Sequence, residues 1–172
     1  MIRDTTLAAS GSLSDRSGGP GVRPPLPKEI TSTLLRNQWP VSKDETDHRR
    51  RSIYLFARRN LRLPMFDLFD RPSQAETCAR RQNSTTAPQS LALLNSDFTR
   101  KAADHIALHA ENHNKTLNEQ ITICHQLLLG RAPTANELKT CHHFIQDSPS
   151  FKQGMTDLCL AMMNLNEFLY LD

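Results

Sequence analysis

Apolar residues recur at helical spacing in the second half of the chain. Leu91, Leu94, Phe98, Ala102 and Ile106 follow one another every three or four positions, which predicts one face of a single amphipathic helix. Similar spacing continues to the end of the chain. The pattern predicts a mainly α fold, with about four packed helices after an irregular, loop-rich N-terminal third.

Capping signals divide these apolar runs. A Thr or Ser followed three positions later by Glu or Gln satisfies exposed backbone groups at a helix start. Such pairs are Ser73 with Glu76, Thr86 with Gln89, Thr116 with Glu119, and Thr134 with Glu137. Gly130 is predicted to end one helix, and Ser148 before Pro149 to start the last.

The first half of the chain lacks long periodic runs. Residues 1–10 suggest the end of a helix that stops at Gly11, and residues 1–47 as a whole read as a Gly/Pro-rich arm. Residues 51–57 are rich in strand-forming types and predict one short extended segment. Residues 63–70 suit a short helix. We therefore predict an arm over 1–47 and a helical domain over 48–172.

Composition narrows the class of protein. A chain of 172 residues is long enough for one domain with a sizeable core. A net charge of +3 does not by itself indicate nucleic acid, and no apolar run reaches the roughly 20 residues of a membrane span. The cysteines show no CxxC or CxxCH spacing and are expected to be buried free thiols. They are Cys78, Cys124, Cys141 and Cys159.

Nine arginines and no lysine fall between residues 48 and 95, here called the arginine segment. A guanidinium is a planar fork that binds two acceptors at once, whereas a solvated basic face usually mixes arginine with lysine. One interpretation is an anion site for phosphate, a haem propionate or an acidic glycan. The other is a structural hub that binds backbone carbonyls and the carboxylates of Asp67, Asp70 and Glu76. The candidate residues are Arg50, Arg51, Arg58, Arg80 and Arg81. Lysine is absent from the segment, and no basic groove with interleaved aromatic residues occurs elsewhere in the chain, which argues against nucleic acid.

Three histidines, His105, His109 and His113, repeat along one face of a predicted helix. Histidines at i and i+4 can chelate a metal ion, but the zincin motif has a glutamate directly after its first histidine, where this chain has Ile106. They are weak metal candidates, and we predict no cofactor. The chain has no GxSxG motif, and its GGPG run (18–21) follows no predicted strand. Neither nucleophilic catalysis nor a phosphate loop is therefore indicated.

Several longer motifs resemble one known family. They are IRDTTLAASGSL with GGPGVRPP (2–25), RRSIYLFARRNLRLPMFDLFDRP (50–72), CARRQNSTTAPQSLALLN (78–95), LLLGRAPTANEL (127–138) and LNEFLYLD (165–172). Together they resemble the C-terminal domain of unknown function of the planctomycete cytochrome-c-associated proteins. That family has no established biochemical activity. Its members are long and often begin with an export signal and a haem-binding CxxCH segment. The resemblance therefore implies a C-terminal fragment of a larger family domain.

These features predict a non-enzymatic structural or interaction module of an exported multidomain protein. The expected partner is the remaining N-terminal part of the family domain, or a neighbouring haem- or glycan-associated domain. The alternatives are part of a hydrolytic or redox enzyme domain, and an anion- or metal-binding module. The chain itself shows no signal peptide, so its location is left open.

Overall fold

The computed structural model of the protein is mainly helical, with a loop-rich N-terminal part, which confirms the predicted fold class. The residues that the structure describes are 2–35, 37–58, 61, 63–72, 79, 86–113 and 116–170. They form two compact units. The N-terminal unit contains Arg3 and the described residues of 13–89, and the helical unit contains Ile2, 4–12 and the described residues from 90 onward.

The N-terminal unit is held by isolated backbone pairings. Two parallel bridges, Ser14 with Arg50 and Val22 with Leu55, are its long-range pairings among the described residues. The Val22 amide donates to the carbonyl of Tyr54 at 2.8 Å. The predicted extended segment over 51–57 is therefore partly wrong, because a 3-10 turn covers Ser52–Tyr54 and extended backbone begins at Leu55. With so few ladder bonds, the other backbone groups of this unit need different partners.

Two short helices belong to the N-terminal unit. They are α2 (Lys28–Thr31) and α3 (Pro64–Leu68), and a second 3-10 turn covers Asp47–Arg49. The predicted helix over 63–70 is confirmed by α3, which begins on its proline as a helix start allows. The chain leaves α3 through Asp70 at φ +55°, a left-handed conformation that aspartate tolerates better than most residues.

The helical unit contains the other described helices. They are α1 (Ile2–Ala9), α4 (Ala87–Asn95), α5 (Asp97–His113), α6 (Leu117–Leu129), α7 (Ala135–Gln146), α8 (Phe151–Met162) and α9 (Asn166–Leu169). The first residues of α4 fall in the N-terminal unit. Helix α5 packs against α6 and α8, and α7 packs against α6 and α8. Short α9 lies on α6. Among the described residues, no helix combines the length and the apolar character that a membrane span requires.

The predicted caps of α6 and α7 are confirmed. Complete capping boxes form at Thr116 and Thr134, and α6 ends at Gly130 with φ +71°. The predicted start of the last long helix is wrong by two residues. The hydroxyl of Ser150, not that of Ser148, accepts the Gln153 amide and caps α8. The pair Ser73 and Glu76 lies outside the described residues.

The predicted single helix over 91–106 is wrong, because the chain breaks at Ser96 between α4 and α5. The Ser96 hydroxyl accepts the Thr99 amide at 3.2 Å. The buried Thr99 hydroxyl donates to the carbonyl of Leu93 at 2.6 Å. Because the break changes the phase of the helical face, Leu91 and Leu94 are exposed while Leu93 is buried.

The core of the helical unit forms where α5, α6 and α8 meet. Alanines of α5, such as Ala103 and Ala110, line its buried face beside Ile106, which is fully buried. Ile121 of α6 and Met155 of α8 are buried in the same cluster. Gly154 of α8 is also buried, and a Cβ there would lie 3.1 Å from Cα of Ile145 in α7. Small side chains thus let these helices approach closely.

One arginine joins the ends of three helical elements. Arg131 follows α6, and its Nη2 donates to Oε1 of Glu137 in α7 at 2.7 Å. Its Nε donates to Oε1 of Glu167 in α9 at 2.6 Å. The hydrogen bonds from Arg131 lower the pKa of Glu137, and the Thr134 amide adds to that effect. All three charged side chains are partly exposed.

Candidate functional site

Arg50 is the most buried described arginine of the arginine segment, with 2% of its surface exposed. Its Nε donates to the carbonyl oxygen of Arg16 at 3.0 Å, and its Nη2 donates to the carbonyl of Gly18. Its guanidinium carbon lies 4.3 Å from the ring centre of Tyr54, within cation–π range. A single fork therefore ties residues 34 positions apart in the sequence.

Arg3 binds the same stretch of backbone. Its Nη1 donates to the carbonyl of Arg50 at 2.9 Å and to the hydroxyl of Ser52 at 3.2 Å. Its Nη2 donates to the carbonyl of His48 at 2.6 Å. Two arginines thus supply donors to a region whose carbonyls have few ladder partners.

Two aspartates balance part of this positive charge. Nη1 of Arg16 lies 3.2 Å from Oδ2 of Asp44 and 3.1 Å from Oδ1 of Asp47. Oδ1 of Asp47 also lies 3.7 Å from Nη1 of Arg50, a distance too long for a hydrogen bond. The pKa of Asp44 is lowered, first because the Thr46 amide donates to it. The Asp44 carboxylate is therefore charged at neutral pH and is a poor general acid.

The glycine loop (residues 17–21) borders a pocket of about 210 Å³. The pocket is lined by residues 16–22, Ser42, Asp47 and Arg50. Gly18 and Gly19 have φ of +74° and +82°, where L side chains are strained. A Cβ on Gly21 would lie 3.3 Å from the ring of Phe56, so a close backbone contact adds a second reason for glycine.

The other arginine candidates are arranged differently. Arg51 is exposed, although it follows Arg50 directly. Nη1 of Arg58 donates to the carbonyl of Gln38 at 2.8 Å. Arg80 and Arg81 lie outside the described residues, as does the proposed partner Glu76. Among the described candidates, Arg50 therefore stands at the pocket, and Arg58 bonds backbone elsewhere in the same unit.

Trp39 gives this unit a small aromatic contact. Its Nε1 donates to the carbonyl of Pro24 at 2.8 Å, and its ring centre lies 6.1 Å from that of Phe56. The guanidinium of Arg23 lies 4.1 Å from the centre of the Phe56 ring on which Gly21 also packs. Since Trp39 is the single tryptophan of the chain, its fluorescence reports on the N-terminal unit alone.

The histidine candidates lie on α5 in the helical unit. His105 and His109 are exposed, and Nδ1 of His105 is 3.1 Å from the hydroxyl of Ser12. The side chain of His113 lies outside the description. Within the described part of the chain, no group of three or more His, Cys, Asp or Glu residues is arranged to hold a metal ion. The metal hypothesis for these histidines stays a weak prediction.

Three cysteines meet in the core of the helical unit. Cys124, Cys141 and Cys159 are buried free thiols, which confirms the prediction for these three. Sγ of Cys159 lies 3.7 Å from Sγ of Cys124. The contact with Cys124 and burial raise the pKa of Cys159, and burial raises the pKa of Cys141. Cys141 and Cys159 are therefore protonated, and all three cysteines act as small apolar core residues. Cys78 lies outside the described residues.

The pocket includes residues that the sequence did not single out. Arg16, Ser42 and Asp47 belong to the segment that was predicted to be an irregular arm. Arg3, which was predicted to be part of a helix, supplies donors to the same backbone. The sequence signal for the pocket is the pair Gly18 and Gly19. Because no predicted strand precedes this pair, the sequence does not indicate a phosphate loop.

Comparison with known protein families gives one match. A family model described as "PSD1: Protein of unknown function (DUF1553)" matches residues 1–145 of the 172-residue chain. Comparison with curated proteins and with solved structures gives no match.

Proposed function

Since the chain belongs to the PSD1 family of proteins of unknown function (DUF1553), we propose that it is a non-enzymatic structural or interaction module of a larger, exported protein. The observation that carries this proposal is the use of Arg50. Its guanidinium is almost fully buried, and it bonds loop carbonyls of its own chain. Nε and Nη2 are thereby occupied and cannot bind a substrate.

A loop without regular structure has backbone carbonyls that no ladder of hydrogen bonds satisfies. A buried carbonyl that lacks a donor costs roughly 1–3 kcal/mol. In partly buried hydrogen bonds, Arg50 serves the carbonyls of Arg16 and Gly18, and Arg3 serves those of Arg50 and His48. In this interpretation the arginine segment takes the place of a β-ladder, which supports the structural-hub hypothesis for Arg50.

The exported setting and the partner rest on the motif resemblance. In that setting the chain would support the N-terminal part of the family domain, or an adjoining haem- or glycan-associated domain. Of the alternatives, an anion-binding module has a structural observation of its own, which is the pocket beside the glycine loop. The hydrolytic and redox alternatives have no comparable support among the described residues.

The test compares two neighbouring arginines. Arg50→Lys removes the fork but keeps the charge, and we expect a loss of about 2–3 kcal/mol of unfolding free energy because one ammonium cannot serve both carbonyls. Arg51→Lys is the matched control, because Arg51 is exposed and should change stability by less than about 0.5 kcal/mol. Chemical denaturation followed by Trp39 fluorescence reads the N-terminal unit, and circular dichroism reads mainly the helices.

Two results would contradict the proposal. If both variants unfold at the wild-type midpoint in the fluorescence assay, Arg50 has no structural role. The anion-binding alternative would then explain its position better. If Arg51→Lys destabilises the unit as much as Arg50→Lys, stability depends on arginines throughout the segment. The assignment of the structural role to buried Arg50 would then be wrong.

A further inference from the structure

We propose that the pocket beside the glycine loop binds a singly charged oxyanion, of which a small carboxylate is the simplest example. The site would consist of Nη1 of Arg50, the hydroxyl of Ser42 and the amides of the glycine loop. This binding site goes beyond the structural role proposed for Arg50, since it uses donors that the structural role leaves over. It also differs from a phosphate loop, which joins a strand to a helix.

The first donor is Nη1 of Arg50, the guanidinium nitrogen that binds no carbonyl of the described residues. Nε and Nη2 have backbone acceptors, whereas Nη1 has no hydrogen-bond acceptor among the described residues. Its nearest carboxylate oxygen belongs to Asp47 at 3.7 Å. Because Arg50 lines the pocket and is otherwise buried, an oxyanion there would satisfy a donor that has no hydrogen-bond acceptor among the described residues.

Further donors come from the pocket wall. The amides of Gly18, Gly19 and Gly21 donate to no acceptor in the described part of the chain. Gly18 and Gly19 are consecutive and line the pocket, and consecutive loop amides form anion sites in proteins. The oxygen of Ser42 accepts the Arg23 amide at 3.0 Å, which leaves its hydroxyl hydrogen free to donate.

The charge and the size of the pocket limit the class of ligand that it can bind. Arg16 and Arg50 carry two positive charges on the wall, and Asp47 carries one negative charge. Asp44, 3.2 Å from Arg16, cancels the remaining positive charge, so the pocket offers hydrogen-bond donors without a net positive charge, which disfavours a dianion more than a monoanion. The volume of about 210 Å³ is more than ten times the roughly 10–15 Å³ that one water needs. A carboxylate with a small organic body therefore fits.

The experiment titrates acetate into the full chain and follows the backbone amides of its six glycines by nuclear magnetic resonance. Sodium chloride at equal ionic strength is the reference. We expect saturable shifts at Gly18, Gly19 and Gly21, and none at Gly130 or Gly154. Inorganic phosphate, which is largely a dianion above neutral pH, should bind more weakly than acetate.

Two variants test the assignment without changing Arg50, because we expect a change there to destabilise the unit. Arg16→Gln removes one wall charge and should weaken acetate binding about tenfold. Arg49→Gln removes the same charge from an exposed residue that does not line the pocket, and should leave binding unchanged. Equal losses in both variants would indicate general charge attraction and overturn the site.

Other outcomes of the titrations would also contradict the proposed anion site. Shifts that grow without saturation, or that chloride reproduces, would overturn the site, and tighter binding of phosphate would overturn the assignment to a monoanion. None of these results bears on the structural proposal, which depends on the stability of Arg50→Lys. The two proposals therefore fail separately.

Discussion

Gly154→Ala sets helix propensity against packing in the core of the helical unit. Glycine in a helix interior costs about 1 kcal/mol relative to alanine, so propensity alone predicts that the substitution stabilises α8. The new Cβ would lie 3.0 Å from Cβ and Oγ of Ser148 and 3.1 Å from Cα of Ile145, whereas ordinary contacts begin near 3.4 Å. The Ser148 hydroxyl is held by the carbonyl of Phe144 at 2.8 Å, so these neighbours cannot simply rotate away.

Overpacking of this kind typically costs about 1–3 kcal/mol. After the gain in propensity, we expect a net loss of about 1 kcal/mol of unfolding free energy. Ala161→Gly is the matched control, because Ala161 is an exposed position of the same helix and measures the propensity difference without a clash. It should destabilise by about 1 kcal/mol.

The assay is urea denaturation followed by circular dichroism, with an unchanged m-value as the sign that both variants keep the same folded and unfolded states. The cost of the clash is the loss measured for Gly154→Ala plus the propensity difference measured at Ala161. If Gly154→Ala is instead more stable than the wild type by about 1 kcal/mol, α7 yields freely and the close packing of α7 on α8 is not what requires glycine.

Three further predictions concern the helical unit. Arg131→Gln should unfold at lower denaturant than the wild type, because Arg131 lowers the pKa of Glu137. The difference between the two denaturation midpoints is largest above the ordinary glutamate pKa of about 4.3 and should shrink as the pH falls below it. Midpoints that stay equally far apart in acid would contradict the assignment. Cys124 and Cys159 should resist alkylation in the folded protein and react after unfolding, as peptide mapping by mass spectrometry can show; rapid labelling of the native chain would refute their burial. Thr99→Val should cost about 1–3 kcal/mol, because it leaves a buried carbonyl without its donor, and an unchanged denaturation midpoint would show that another group replaces it.

The helical half was predictable because its signals are local. Thr116 and Thr134 act on residues three positions away, so the sequence contains the whole capping interaction. The break at Ser96 was missed because the residues on both sides remain apolar at near-helical spacing. The cap that Ser96 gives to Thr99 has no glutamate at the third position to mark it.

The candidate site was less predictable because its contacts are distant in sequence. Arg50 and Arg51 are identical neighbours in a segment without a regular period, so no pattern shows which of the two is buried. The partner of Arg50 is 34 positions away, and that of Arg3 is 47 positions away. Composition predicted that arginines would bind several acceptors, but it could not identify those acceptors.

The bond between Arg50 and the glycine loop also fixes an order of events during synthesis. The carbonyls of Arg16 and Gly18 leave the ribosome before their donor, which follows 34 positions after Arg16. At about 5–20 residues per second, the loop waits roughly 2–7 seconds for Arg50. Closing so long a loop adds little to its entropic cost, which grows by only about 0.6 kcal/mol per doubling of length. The consequence is one of time, since the glycine loop stays open to proteases and chaperones until the arginine segment has emerged.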